Sequence, residues 1–490
     1  MMATTDRPPL KIVETLCRAL EDAEISYCHW KSNDALDRSA SGENDLDLLV
    51  DRADGARFAE LLLATGFKPA ELPSALRLPG IGDWYGLDPD ADRLVHAHVH
   101  YQLVLGDDMT KNVHLPVERA YLAGAVQDGL FKLPPSSLEL IVFVIRMMLK
   151  HASWDAILTG QGRLSSSERR ELGFLSQRAD PDEVERMLRK YLPFLDPALF
   201  RQCRAAVEPG APRHQRMRTA RALQRALAAH SRTPPRVDTV MKVTRRFRYA
   251  FVRKVLKRRS HKRLVAGGRL VAIVGGDGSG KSSSVRVVVK RLERDLDVRR
   301  FHLGKPSRSL LSHLVRTPIR AARLAGVFST TRLPADATID ASCPGRAWLV
   351  WHALNARDRR RTYLRARRFA TEGGVAVCDR YPTAQFALMD GSRVAHLAGL
   401  DGLGPIARRL AQYEVRCYDE ILPPDLMVVM SVDPELAVAR RPEQDEAFVR
   451  RRNREVRSVD WGDLPVTIVD ASQPLDAVLR EVSALVWASL

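Results

Sequence analysis

The run LVAIVGGDGSGKSSSVRVVV, residues 270–289, constrains this chain more than any other stretch. A β-branched run enters it and a helix-compatible run leaves it. Between them, Gly275, Gly276, Asp277, Gly278, Ser279, Gly280, Lys281 and Ser282 fit the pattern GxxxxGK[ST]. Glycines permit a tight loop whose backbone N–H groups turn inward, and the helix that follows adds the positive end of its dipole. Lys281 then supplies a point charge for β- and γ-phosphates, and Ser282 a hydroxyl for Mg²⁺, with Ser283 beside it. The expected ligand is a nucleoside triphosphate, ATP, with Mg²⁺.

A chain of 490 residues is too long for one core, so two or three domains are expected. From residue 266 to the end, strand-like and helix-like runs alternate, which predicts an α/β domain with a parallel sheet. RLVAIVG, GVAVCDR, PDLMVVMSV and PVTIVD are short runs of the kind buried on both faces. Residues 1–110 read as a small α/β unit, with strands in ISYCHW, DLDLLVD and RLVHAHVHYQLVLG. Residues 111–265 lose the strand pattern and read as helices capped by Ser or Asp, with HSRTPPRVD as a linker. A basic segment over 242–263 interleaves Phe247, Phe251, Val255 and Leu256 with Lys and Arg. It is either an amphipathic helix for an anionic surface, membrane or nucleic acid, or a solvated helix packing its stripe on a neighbouring domain.

The net charge of +18 predicts attraction to polyanions without choosing among them. Six cysteines show no CxxC pairing and read as reduced thiols. No N-terminal stretch has the order of a signal peptide, and LELIVFVI is far short of a membrane span, so a cytoplasmic protein is expected.

GGVAVCDRY places Asp379 and Arg380 directly after a buried-looking strand. In an open parallel sheet, ligands gather at the carboxyl ends of strands. There Asp379 suits a magnesium shell and Arg380 an anionic substrate. The glycine-rich loop, CDRYPTAQFALMDG, PPDLMVVMSVDPELAVAR and IVDASQPLDAVLREV together resemble the thymidylate kinase family of nucleoside monophosphate kinases over about 270–480. The resemblance implies a P-loop kinase fold and phosphoryl transfer from ATP·Mg to a nucleoside monophosphate. It implies that Lys281 and Ser282 handle ATP·Mg, that Asp277 lies near the acceptor's sugar, and that Asp379 and Arg380 flank the transferred phosphate. It also implies that Arg357 or Arg359 meets the acceptor. The family's Arg-Glu-Pro segment is replaced by FHLGKPSRS, where Lys305 or Arg308 is the available cation. Arg440, Arg441, Arg450 and Arg451 are candidates for a lid over the phosphates, or for a solvated basic helix. A homodimer is among the expected partners.

At the N-terminus, CHWKSNDALDRSASGENDLDLLVD sets Asp45 and Asp47 on one face of a strand. Two adjacent carboxylates suit a divalent metal with a nucleotide's phosphates. This resembles the nucleotidyltransferase superfamily, with Lys31-Ser32 in place of Gly-Ser and His98 where a third carboxylate belongs. His96, His98 and His100 also alternate onto one face. They either ligate a metal such as zinc or form a non-catalytic polar face. Three functions follow: a kinase fused to a degenerate domain, a bifunctional kinase and nucleotidyltransferase acting on a sugar or cell-surface precursor, or a nucleotide-controlled binding protein.

Overall fold

The computed structural model describes residues 8–78, 80–151, 164–254, 261–309, 346–383, 391–397 and 404–490, and parts of 312–321. Cys343, residues 384–390 after the Asp-Arg pair, and residues 255–260 of the basic segment lie outside the described residues. By its contacts the chain divides into two compact units, Met1–Ser260 and His261–Leu490.

In the N-terminal unit, β1 (Tyr27–His29), β2 (Leu46–Val50), β3 (Lys68–Glu71), β4 (Ile81–Asp88) and β5 (Arg93–His100) lie in the order β1-β2-β5-β4-β3. β2 and β5 run parallel, and the other pairs are antiparallel. Every residue of β2 is buried, because its alternating side chains serve two cores. Leu46, Leu48 and Val50 join Leu16, Leu20, Phe58, Val95 and Val99. Leu49 turns to the other side and packs with Cys28, Trp30 and the helices that follow.

Chief among those helices is α1 (Ser136–His151), which contains the LELIVFVI run; thirteen of its sixteen residues are buried. A helix apolar on nearly all sides belongs inside a core. The following helices start at the expected caps. Ser165 and Glu168 form a capping box, and Asp180 accepts from the N–H of Asp182.

Two expectations for residues 111–265 are corrected. The region is not free of strands: Val113–His114 pairs with Val104–Leu105, and Val126–Asp128 pairs with Phe131–Leu133. These strands are two or three residues long, too short for alternation to show. Nor is HSRTPPRVD a linker. The side chain of Asn112 accepts from the Thr233 N–H at 2.8 Å and donates to its carbonyl at 2.9 Å. Pro235 then opens α2 (Pro235–Lys254), a place where a missing N–H costs nothing.

The C-terminal unit is an α/β layer structure. Its strands β6 (Leu270–Gly275), β7 (Val298–His302), β8 (Val375–Asp379), β9 (Leu426–Ser431) and β10 (Val466–Asp470) are all parallel, in the order β7-β8-β6-β9-β10. The order reverses beside β6, which opens a crevice at the strands' carboxyl ends. Helix α3 (Lys281–Leu292) follows β6. The long α4 (Arg346–Thr371) sends Tyr363, Ala366, Phe369 and Ala370 into the core against Leu270, Ala272, Ala376 and Met427. Near the end of the unit lies α5 (Glu446–Ser458).

No described helix is long and apolar enough to cross a membrane. The five described cysteines, Cys17, Cys28, Cys203, Cys378 and Cys417, are unpaired and buried.

Candidate functional site

β6 delivers its last residue, Gly275, at φ 150°, and a Cβ there would stand 2.4 Å from the Met430 carbonyl of neighbouring β9. At Gly276 a Cβ would fall 1.9 Å from Asn453 Oδ1 on α5. Gly278 and Gly280 both have left-handed φ, 79° and 83°, and Gly280 is the N-cap of α3. The glycines therefore serve two needs, conformation and close approach. Ser279 Oγ donates to the Gly276 carbonyl at 2.9 Å, and the Lys281 ammonium donates to the same oxygen.

Lys281 is the most perturbed group of this loop. Burial lowers its pKa from 10.5 to about 8, and Arg380 and Arg452 push the same way against Asp277 and Asp379. A half-buried ammonium that borrows a backbone carbonyl and has cations close by has much to gain from an anion. Ser282, one residue on, is exposed.

Asp379 ends β8 in register with Ile273 of β6 and is 3% exposed. Its carboxylate holds Arg300 of β7. Arg380 follows at φ 62°, and its N–H donates to the Ile273 carbonyl at 3.3 Å. The sheet thus brings Asp277, Lys281, Asp379 and Arg380 together.

The proposed lid arginines divide. Arg440 reaches back to the Gly278 and Ala471 carbonyls, at 3.4 and 2.8 Å. Arg441 pairs with Glu443, and Arg450 with Glu435 and Glu446. Sequence reasoning missed Arg452, which is buried and pairs with Asp277 at 2.7 Å. It also missed Asn453, whose Nδ2 donates to the Asp277 carbonyl at 3.0 Å. Their signal was present: Val449, Arg452, Asn453 and Val456 are spaced as one helix face, and all four are buried. The acceptor-side candidates are engaged with the chain itself. Arg359 donates to the Leu303 carbonyl at 3.0 Å and to the Tyr418 hydroxyl, and Arg357 to Ser309 Oγ at 3.4 Å.

A second polar centre lies in the N-terminal unit. Asp45 is 2.9 Å from His96 Nδ1, and Asp47 is 2.9 Å from the Lys31 ammonium and 3.1 Å from His98 Nδ1. Burial alone would raise the Asp47 carboxyl, but Lys31, His98 and His29 together hold it below its ordinary value. Burial lowers His98 and His100. Asp47, His98 and His100 bring ligand-type atoms within 4.8 Å of one another. Asp45, Asp47 and Lys31 open onto a cavity of about 530 Å³, also lined by Lys111, Arg146 and Lys150. Burial and the nearby Lys31 lower Lys111 to about 8.

No family model matches the chain. The uncharacterized ATP-binding protein YghR of Escherichia coli K12 is 29% identical over 226 residues, covering 44% of this chain and 86% of that protein. YghS of the same organism, also described as ATP-binding, is 23% identical over 226 residues, covering 45% of this chain and 94% of that protein. Thymidylate kinase of Nitrobacter winogradskyi is 29% identical over 240 residues, covering 46% of this chain and 88% of that protein. With the parallel sheet and glycine-rich loop in place, the C-terminal half of the chain is similar to two ATP-binding proteins and a thymidylate kinase.

Proposed function

We propose that the C-terminal unit transfers the γ-phosphoryl group of ATP to a small phosphorylated acceptor, of which a nucleoside monophosphate such as dTMP is the first candidate. The observation that carries this is Lys281: a half-buried ammonium at the start of α3, depressed to about 8, held for now by the Gly276 carbonyl. The triphosphate takes the place of that carbonyl, and the α3 amide groups complete the cradle. The exposed Ser282 hydroxyl and the Asp379 carboxylate are hard oxygen donors, a set that fits Mg²⁺ once Arg300 yields an oxygen of that carboxylate. When bound, that ion neutralises charge on the phosphates. Arg380 and Arg300 flank Asp379 and stand ready to meet the acceptor's phosphate. Catalysis here is positioning and charge neutralisation, with no covalent intermediate on the protein.

The test is phosphoryl transfer from labelled ATP to a panel of nucleoside monophosphates and sugar phosphates. Lys281→Ala should lower the rate on the order of 10²–10³-fold. In the free protein kcat/KM should fall as pH rises through about 8, because the charged ammonium is the binding form. Full activity in the Lys281→Ala protein would end this reading.

A second reading makes the N-terminal unit a nucleotidyltransferase. It is favoured by Asp45 and Asp47 standing together on a cavity of about 530 Å³. A metal there must displace Lys31 from Asp47, since ammonium and ion compete for one carboxylate. Asp47→Asn should abolish nucleotidyl transfer to a sugar phosphate and leave ATP-dependent phosphorylation unchanged. Transfer that survives the substitution would exclude the reading.

A further inference from the structure

Helix α2 is amphipathic the wrong way round. Asp238 is 7% exposed and pairs with Lys242 at 2.8 Å. Two turns beyond Asp238, Arg245 donates to the Met109 carbonyl at 2.6 Å and Arg246 pairs with Asp107. The two arginines fasten α2 to the rest of the N-terminal unit. At about 100° per residue, Phe247 falls opposite Asp238, with Val240, Val243 and Phe251 around it. That outer stripe is bare: Val240 is 62% exposed, Val243 56%, Phe247 73% and Phe251 47%.

Single exposed apolar residues are ordinary, but a continuous stripe of valines and phenylalanines on one helix calls for a cover. Charge identifies it. The helix carries Arg236, Lys242, Arg245, Arg246, Arg248, Arg253 and Lys254 against one acid, Asp238. Arg236 and Arg248 are exposed beside the stripe. The sequence continues with Lys257, Arg258 and Arg259. A second copy of the chain would set two such cationic helices face to face, which repel. A nucleic acid would neutralise the arginines but offers the valines nothing. An anionic lipid surface satisfies both, with acyl chains for the stripe and headgroup phosphates for the flanking cations.

We propose that α2 is a peripheral membrane contact, lying in the plane of an anionic bilayer with Val240, Val243, Phe247 and Phe251 inserted at the headgroup boundary. The helix lies on the membrane and does not span it, consistent with the lack of any described helix apolar enough to cross. The inference is independent of the kinase reading.

The test is co-sedimentation of the full chain with vesicles of phosphatidylcholine alone or with about 30% phosphatidylglycerol, a usual anionic probe. Wild-type protein should bind the anionic vesicles, and high salt should weaken binding. Phe247→Ser with Phe251→Ser, and separately Arg236→Glu with Arg248→Glu, should each lower partitioning roughly tenfold. All four side chains are solvent-exposed, so the melting temperature should stay unchanged. Three outcomes overturn the proposal. One is equal binding by wild-type and the phenylalanine variant. Another is DNA or RNA binding that the arginine variant loses and the phenylalanine variant keeps, with no vesicle binding. The last is concentration-dependent self-association, abolished in the phenylalanine variant, again without vesicle binding.

Discussion

Glu139 lies inside α1, 4% exposed, and accepts a hydrogen bond from Asn33 Nδ2 at 2.9 Å. Burial raises its carboxyl from 4.5 to about 8. Between those values the folded chain holds a proton that the unfolded chain releases. The stability contributed by the neutral acid is therefore complete below 4.5 and is lost as pH rises through about 8. Glu139→Gln keeps the shape and removes the titration. It should be more stable than wild type above pH 8, by about 1–3 kcal/mol. Urea midpoints measured from pH 4 to 9 check this; a variant with the wild-type slope would refute it. Nothing in the sequence marked Glu139, because an acid in a helical run reads as its solvent side. Lys281 was legible because its neighbours are fixed by local backbone needs. For Arg452 the helical spacing marked the inward face, but its partner Asp277, 175 residues away, was not readable.

At the scale of elements, the turn from β6 into α3 leaves no room for a methyl group at Gly275, Gly276 or Gly278. Gly275→Ala would drive a Cβ to 2.4 Å from the Met430 carbonyl at a φ of 150°. Backbone cannot step aside as a side chain can. The substitution should cost about 2–4 kcal/mol and weaken nucleotide binding, read by thermal melting and by titration with ATP. A variant that melts and binds as wild type would mean the loop is not packed against β9. The central strands β6, β8 and β9 were readable because both faces of each are buried, so their runs are almost wholly apolar. The edge strands were not: β7 exposes Arg299 and Arg300, and in β10, read from PVTIVD as buried on both faces, Ile468 is 57% exposed. The short hairpins of residues 104–133 were not readable, since two or three residues carry no period. The docking of α2 by its charged side was also hidden. Its composition shows amphipathicity but not which side faces the protein.

For the whole molecule, two units with separate cores predict two heat-capacity transitions on melting. ATP with Mg²⁺ should raise only one of them, by about 2.7 kcal/mol at a hundredfold excess over Kd, and Lys281→Ala should cancel the shift. A single transition, or a shift that survives in the variant, would refute this. The sequence showed that the chain has several parts but not which of them share a core. Cys28, Trp30, Leu49, Leu103 and Leu105 pack in one cluster with side chains as far along as Leu227. A fragment stopped near residue 110 would therefore carry a sheet with one oily side stripped of its cover. Such a fragment should precipitate, while one cut at residue 260 keeps its interior whole.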